Sequence, residues 1–389
     1  METKPFDVAC IPCRDYDPCA VEDAVRRAVE AAGGLSAIRP GMKVVIKANL
    51  VAAATPDRAT TTHPAVISAV AKLLTGRGAR VVIGDSPGGL YTEGVVGRIY
   101  RACGLESCVT EGVTLNHDFS EREADFPEAV SAHHFTYTGY LADADAIVNV
   151  CKLKSHGMMG LSAAAKNMFG TIPGTVKPEY HFRYPSYEAF ANMLVDLDEY
   201  FCPVISVCDG IVAMEGNGPT AGTPRPVGVI LASASPHRLD LLAAKLIGLT
   251  PDRVPTLLAA EKRGLVPAHV EDLSVYGEWK DCCVPDFKNV AVPHSLQFSG
   301  TSDNVLRNLF GKVAAKALTS KPKLKPSLCV GCNACGRICP AGAITMKKGK
   351  AHIDRKACIR CFCCQEFCPK GAMKVCRPPV ARFLDRNKK

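Results

Sequence analysis

The sequence predicts two structural classes in one chain: an α/β unit with a mostly parallel sheet flanked by helices, and a small C-terminal α+β unit organised by cysteines. Three observations lead there. Short apolar runs alternate with amphipathic helical stretches, and the order strand–helix–strand makes parallel neighbours. Polar residues gather at the carboxyl ends of those runs, where open α/β sheets bind ligands. Eight cysteines in two identical spacings occupy the stretch from Cys329 to Cys368.

Taken in order, Val21 to Ala32 reads as an amphipathic helix stopped by Gly33-Gly34. Lys43-Val-Val-Ile-Lys-Ala is a short buried strand ending at Asn49. After a polar loop, Pro64 suits a first helical turn, and Val66, Ile67, Val70, Leu73 and Leu74 share one helical face. Arg80-Val-Val-Ile-Gly is the next strand and delivers Asp85-Ser86-Pro87-Gly88-Gly89. Further strands are expected at Ala146–Cys151, running into Lys152-Leu-Lys154-Ser-His156, at Val204–Cys208, leading into Asp209-Gly210, and from Gly228. Ser186–Tyr200, Pro236–Ile247 and Ser302–Leu318 read as helices. Lys321-Pro-Lys-Leu-Lys-Pro326 reads as a semi-rigid, extended linker. The expected organisation is an α/β domain over residues 1–318, a linker at 319–326, the cysteine-rich domain at 327–377 and a basic tail at 378–389.

The cysteine runs carry the strongest chemistry. Cys329, Cys332, Cys335 and Cys339 precede Pro340, and Cys358, Cys361, Cys364 and Cys368 precede Pro369. Both read C-x2-C-x2-C-x3-C-P, the bacterial ferredoxin spacing for [4Fe–4S] clusters. Short x2 gaps let one tight loop reach three corners of a cubane, and the fourth cysteine of each run crosses to the other cluster. The expected ligand sets are Cys329, Cys332, Cys335 and Cys368 for one cluster, and Cys358, Cys361, Cys364 and Cys339 for the second. Structural zinc instead takes paired C-x2-C knuckles, and two complete runs with both prolines argue against it. A small C-terminal two-cluster ferredoxin domain is therefore expected, with Cys339-Pro-Ala-Gly-Ala343 repeated as Cys368-Pro-Lys-Gly-Ala372.

The 389 residues leave room for two or three domains, and 47% hydrophobic with 22% charged residues is ordinary globular composition. No signal peptide and no apolar run of membrane-spanning length stand out, so a soluble, cytoplasmic protein is expected. Twenty cysteines without an export signal suit reduced cytosol and an anaerobic metabolism. From Lys321 onward 17 Lys+Arg face three acids, a balance of +14, against −5 for the rest of the chain. A basic tail can attract nucleic acid, but no nucleic-acid motif accompanies it, and a docking face for an acidic electron-transfer partner is expected instead.

In the α/β part, Asn49, Asp85, Lys152, Lys154, His156 and Asp209 all fall at strand ends, which places them around one expected cleft. Lys152, Lys154 and Lys166 supply charge for an anionic ligand, His156 or His181 a proton, and Asp85 and Asp209 orient or bind metal. Asn167, Lys47, Asn49 and Ser86 complete the candidate set. Bland readings stand beside these: a solvated basic loop for the lysines, and a helix cap for Asp85 or Ser86. Gly216-Asn217-Gly218-Pro219 reads as a turn, and His133 and His134 as surface residues. Cys10, Cys13 and Cys19, and likewise Cys282-Cys283, read as buried structural cysteines beside the alternatives of a metal site or redox pair. No Walker A or dinucleotide fingerprint is present, so neither ATP nor NAD is expected.

Lys47-Ala-Asn49, Thr62-His63-Pro64, Gly84-Asp85-Ser86-Pro87-Gly88, Lys152-Leu-Lys154-Ser-His156-Gly157, Lys166-Asn167-Met-Phe-Gly170 and Asp209-Gly210-Ile together resemble the domain-of-unknown-function family 362. The resemblance covers about Phe6 to Leu318, and members of that family often carry a C-terminal two-cluster ferredoxin. It implies an architecture more than a reaction. The N-terminal part is also distantly similar to the nickel-pincer lactate racemase fold, but that family's paired catalytic histidines are not apparent and racemisation is not carried over. The expected function is a ferredoxin-linked oxidoreductase with two [4Fe–4S] clusters, acting on an anionic small molecule and exchanging electrons with a donor or acceptor protein. The alternative is a non-catalytic electron-transfer or assembly partner of another redox enzyme.

Overall fold

The computed structural model describes residues 5–290 and 321–376, in two compact units divided after Val290. The expected helix at Ser302–Leu318 and the basic tail at 378–389 lie outside the described residues. The strands of the first unit are β1 (Val8–Pro12), β2 (Lys43–Lys47), β3 (Arg80–Gly84), β4 (Val113–Leu115), β5 (Glu121–Asp125), β6 (His134–Thr138), β7 (Ala146–His156), β8 (Gly160–Ser162), β9 (Ile205–Glu215), β10 (Thr223–Ser233) and β11 (Val275–Tyr276). Its helices are α1 (Pro18–Ala31), α2 (Pro64–Thr75), α3 (Glu93–Ala102), α4 (Ala164–Asn167), α5 (Lys177–Arg183), α6 (Tyr187–Phe201), α7 (Pro236–Leu246) and α8 (Pro255–Lys262).

Nine of these strands form one sheet in the order β11-β1-β10-β9-β7-β2-β3-β4, with β8 folded back on β7. The run β9, β7, β2, β3, β4 is parallel throughout. β10 is antiparallel to both β9 and β1, so the sheet is mixed but mostly parallel. Parallel strands are covered on both faces, which explains why their sequences read as unbroken apolar runs. On one face Val44, Ile46, Val81, Ile83, Val148, Val150 and Val207 pack with Val21, Val25 and Ala28 of α1 and Val66, Ile67 and Val70 of α2. Alternation turns Val45, Lys47, Ile147 and Asn149 to the opposite face, where Tyr140 and Leu141 meet Val45 and Ile147 and α4 packs on β7.

Two strands outrun their expected ends. β7 continues through Lys152, Lys154 and His156, and every residue of it is buried. β9 continues through Asp209 to Glu215 and forms a long hairpin with β10 across the Gly216–Pro219 turn. The expected strand-end loops are thus buried ladder, and the parallel register of β7 on β9 breaks between Lys152 and Lys154. Such an irregularity re-aims side chains without ending the strand.

In the second unit, β12 (Lys321–Leu324) pairs antiparallel with β15 (Met373–Cys376), and β13 (Ile344–Lys347) with β14 (Lys350–Ile353). Short helices at Ala334–Arg337 and Cys363–Glu366 complete two copies of strand, cysteine loop, helix and strand. The expected linker therefore changes character. Lys321–Leu324 is extended, as its prolines require, but it is a strand of this unit, with Pro322 at a sheet edge where a missing donor is tolerated. Ile344, Met346, Ala351, Ile353 and Met373 form the core together with the cysteines.

One buried carboxylate ties the loops of the first unit together. Asp196 on α6 accepts from the backbone N–H of Val130 (3.0 Å), Ser131 (2.7 Å) and Ala132 (2.8 Å) and from Arg263 (2.8 Å). Asp196→Ala leaves a guanidinium and three N–H groups without their acceptor, so we expect a loss of about 3–5 kcal/mol in denaturant unfolding. A midpoint within error of the parent's would contradict that accounting.

Candidate functional site

Most of the α/β candidates gather at the carboxyl edge of the sheet, in two networks. The first surrounds a buried ion pair. Lys47, last residue of β2, sits 2.7 Å from the Asp85 carboxylate, just beyond β3. Lys47 Nζ also donates to Ala48 O (2.7 Å) and Asn167 Oδ1 (3.3 Å), while Asp85 accepts from Leu50 N (2.7 Å) and Ser86 N (2.8 Å). Burial pulls the Lys47 ammonium pKa down, with Asp85 opposing. A Cβ on Gly170 would overlap both partners of this pair, so the Lys-Asn-Met-Phe-Gly stretch needs its glycine for close approach. Asp85 is committed to this pair and to backbone, not to capping a helix. Ser86 is likewise tied into the loop after α4: its Oγ accepts from Gly174 N (2.7 Å) and its carbonyl from Lys177 Nζ.

The second network lies on the other face of the sheet. Lys152 Nζ is 2.7 Å from Asp209 Oδ2 and 2.8 Å from the Tyr16 hydroxyl. Tyr16 donates to Asp209 Oδ1 (3.0 Å), and His63 N donates to Oδ2 (3.0 Å). The His63 ring stacks on Tyr16, centroids 3.7 Å apart, and its Nδ1 accepts from Ala65 N to cap α2. Burial, then the Asp209 charge, raises the Tyr16 pKa, and burial lowers that of His63.

Asn49, just past the end of β2, ties the first network to Lys154. Its Oδ1 accepts from Lys154 Nζ at 2.6 Å, and its Nδ2 donates to Asn167 Oδ1 at 2.9 Å. Asn167 completes its amide by donating to Lys47 O (3.2 Å) and Asn149 Oδ1 (2.7 Å). Lys154 differs from its neighbours, because the oxygens it donates to, Asn49 Oδ1 and Thr60 O (2.8 Å), are neutral. Burial first, and then the charge of Lys152, lowers its pKa to about 7. That brings its deprotonation toward neutrality.

Lys47, Lys152, Lys154, Asp85 and Asp209 are all at most 3% exposed, which sets aside the bland reading of a solvated basic loop. Desolvated charges persist only when paired, and Lys47 and Lys152 are compensated by Asp85 and Asp209. His156 Nδ1 accepts from Met158 N and Met159 N, both at 3.1 Å, and so shapes the β7–β8 turn. Lys166 and His181 belong to an aromatic cluster: Lys166 lies over Phe169 (4.5 Å), and His181 stacks on Phe190 (4.5 Å). Sequence reasoning left Tyr16, Thr60, Asn149 and Lys177 out of the site. A polar residue inside the apolar run Ile147-Val-Asn-Val was a readable signal for Asn149; Tyr16, in a distant loop, offered none. His133 and His134 are exposed, as expected.

In the C-terminal unit, Cys329, Cys332, Cys335 and Cys368 line one cavity of about 350 Å³, its opening to solvent included, with apolar walls from Leu324, Val330, Met346 and Met373. Burial raises the Cys335 thiol, and nearby Cys368 and Cys329 add to it. Burial raises Cys358 as well, with Cys361 and Cys339 contributing. The fourth cysteine of each run therefore lies with the first three of the other. The two loops share backbone geometry: Gly331 and Arg360 take φ of 75° and 63°, and Asn333 and Phe362 take 56° and 61°. Matching amides reach sulfur in both copies, Ala343 N to Cys339 Sγ at 3.2 Å and Ala372 N to Cys368 Sγ at 3.1 Å. N–H···S bonds stabilise charge on a cluster's thiolates. A sulfur-lined, apolar cavity with such donors fits a cubane.

A duplicated cysteine cradle beside a mostly parallel α/β unit defines an iron–sulfur electron-transfer protein. Residues 321–369 match the 4Fe–4S dicluster domain, which takes two [4Fe–4S] clusters. Residues 44–245 match the domain of unknown function DUF362, and the chain belongs to that family. It is 30% identical over 305 residues to the thylakoid-associated protein sll1697 of Synechocystis sp., covering 78% of this chain and 93% of that protein. Among solved structures, the lactate racemase apoprotein from Thermoanaerobacterium thermosaccharolyticum is similar at 12% identity and a TM-score of 0.40, covering 62% of this chain and 57% of that one. A protein from Thermotoga maritima is similar at 13% identity and a TM-score of 0.34, covering 54% and 53%. Among the described residues no helix is long and apolar enough to cross a membrane.

The lowered Lys154 pKa has a stability consequence. Between about pH 7 and the ordinary lysine range the unfolded chain binds the proton that the folded chain has released, so stability rises with pH there. The destabilisation from burying Lys154 is full below about pH 7 and fades above it. Lys154→Met should therefore flatten the slope of denaturation midpoint against pH from 7 to 10. An unchanged slope would place the titration elsewhere.

Proposed function

We propose that the protein is a ferredoxin-linked oxidoreductase. Its two clusters pass single electrons between an external donor or acceptor protein and an anionic small molecule held at the carboxyl edge of the α/β sheet. The observation that carries the electron-transfer part is the duplicated cysteine cradle, with matching amide-to-sulfur bonds at Cys339 and Cys368. Cys329, Cys332, Cys335 and Cys368 would hold one cluster and Cys358, Cys361, Cys364 and Cys339 the other. When bound, the clusters supply one-electron chemistry.

In the α/β unit, Lys154 is the group we assign to the substrate anion or its proton. Its acceptors are neutral, and its pKa near 7 suits proton exchange at physiological pH. Lys152 and Lys47, matched to Asp209 and Asp85, hold the frame. Asn49 and Asn167 carry hydrogen bonds from that frame to Lys154. The fixed aromatic setting of Lys166 and His181 gives them a wall beside this edge. We place the protein in the cytoplasm, where thiols stay reduced; association with thylakoids is a property named for the cyanobacterial relative.

The near-complete burial of the lysine–aspartate pairs favours a second reading. In it, the α/β unit is a rigid docking body that delivers electrons to, or helps assemble, another redox enzyme. Anaerobic purification separates the two. Both readings expect about eight iron and eight sulfide per chain, and in both Cys368→Ser and Cys335→Ser should remove the same EPR signal of the reduced protein. Cys339→Ser should remove the other. Under the oxidoreductase reading, a panel of small carboxylates and phosphates contains one that reoxidises the reduced clusters, and Lys154→Met abolishes that reoxidation with iron content unchanged. Reoxidation that survives in Lys154→Met would sink the site assignment, and no reoxidation across the panel would favour the docking body.

A further inference from the structure

Two cysteines from opposite ends of the α/β unit meet. Cys10 lies in β1, fully buried between β10 and β11. Cys282 closes the short turn Trp279–Cys282 that follows β11, and it is partly exposed. The meeting depends on Gly277, whose φ of 99° and lack of a Cβ let the turn drop onto β1; a Cβ there would overlap the Cys10 carbonyl. Cys282 Sγ donates to Glu278 O (3.8 Å), and contact with the other thiol is the largest influence on both Cys10 and Cys282. It lowers the Cys282 thiol to about 7 and, with burial, raises Cys10. Asp281 opposes the lowering at Cys282, while Lys245 acts on the adjacent Cys283.

We propose that Cys10 and Cys282 form a reversible dithiol–disulfide centre, with Cys282 attacking and Cys10 resolving, that exchanges with a low-molecular-weight disulfide. An accessible, readily ionised thiol in contact with a shielded partner is the arrangement that thiol–disulfide exchange requires. The Cys282 thiolate attacks one sulfur of the small disulfide, forming a mixed disulfide and releasing one thiolate. Cys10 then attacks Cys282 Sγ, and its proton goes to the second small thiolate as that group is expelled. One small disulfide becomes two thiols, and the protein dithiol becomes a disulfide. The return step runs the exchange backwards, with two low-molecular-weight thiols supplying the two electrons and two protons. Cys151 and Cys208 offer an internal contrast. They face each other across β7 and β9, but both are completely buried, so neither is open to attack.

The test uses the full chain, purified anaerobically and equilibrated in glutathione buffers of increasing disulfide fraction, then acid-quenched, alkylated and mapped by mass spectrometry. The expected result is a Cys10–Cys282 linked peptide that grows with the disulfide fraction and disappears with dithiothreitol, while Cys151 and Cys208 remain alkylated. In Cys10→Ser, Cys282 should stop at the glutathione adduct. In Cys282→Ser, on the exposed turn, the Cys10 peptide should form no link and no adduct. A wild-type Cys282 that stops at the adduct, pairs with Cys283, or stays a free thiol across the series would overturn the proposal.

Discussion

Two unlike charges in a dry place, Lys47 and Asp85, set the geometry of the sheet's carboxyl edge. Removing either would leave the other unpaired in low dielectric, at a cost of about 3–5 kcal/mol, so everything near them is arranged to keep both. Leu50 and Ser86 turn backbone amides toward Asp85, Asn167 gives Lys47 an oxygen, and position 170 has room only for glycine. The loops after β2 and β3 and the stretch after β8 are thereby held against one another.

Asn49 extends the arrangement across the sheet. A strand's alternation sends Lys47 and Lys154 to opposite faces, and only a residue just past a strand end can bond to both sides. Its amide does so, with an acceptor for one lysine and a donor for the amide that holds the other. Two amides, Asn49 and Asn167, thus stand between Lys154 and the Lys47–Asp85 pair.

Much of this was readable in advance, but unevenly. The cysteine spacing specified the C-terminal unit and its crossed grouping because cluster geometry leaves few alternatives. The parallel sheet followed from buried runs separated by helices; Asn49, Asp85 and Lys154 were named from strand-end position, and Lys47 and Asn167 from the motifs around them. Their burial was not legible. Lysines spaced two apart look the same in a solvated loop and in an interior strand, and only Asp85 and Asp209, far along the chain, decide between them. Lys321–Leu324 was misjudged for a related reason: a proline-bearing segment reads as a spacer until its partner strand, Met373–Cys376, is known. The contact of Cys10 with Cys282 was invisible because the segments that carry it lie near the two ends of the α/β unit.

The two cysteine loops share left-handed positions but not the residues that tolerate them. In the first, glycine and asparagine occupy these positions at Gly331 and Asn333, where such backbone is nearly free. In the second they fall on Arg360 and Phe362, where each left-handed residue costs about 1–3 kcal/mol. The copies made by duplication are consequently unequal as empty scaffolds. The first keeps its shape on its own backbone preferences, whereas the second is a tensioned loop that Phe362, buried to 1% exposure, and the surrounding packing must hold in place.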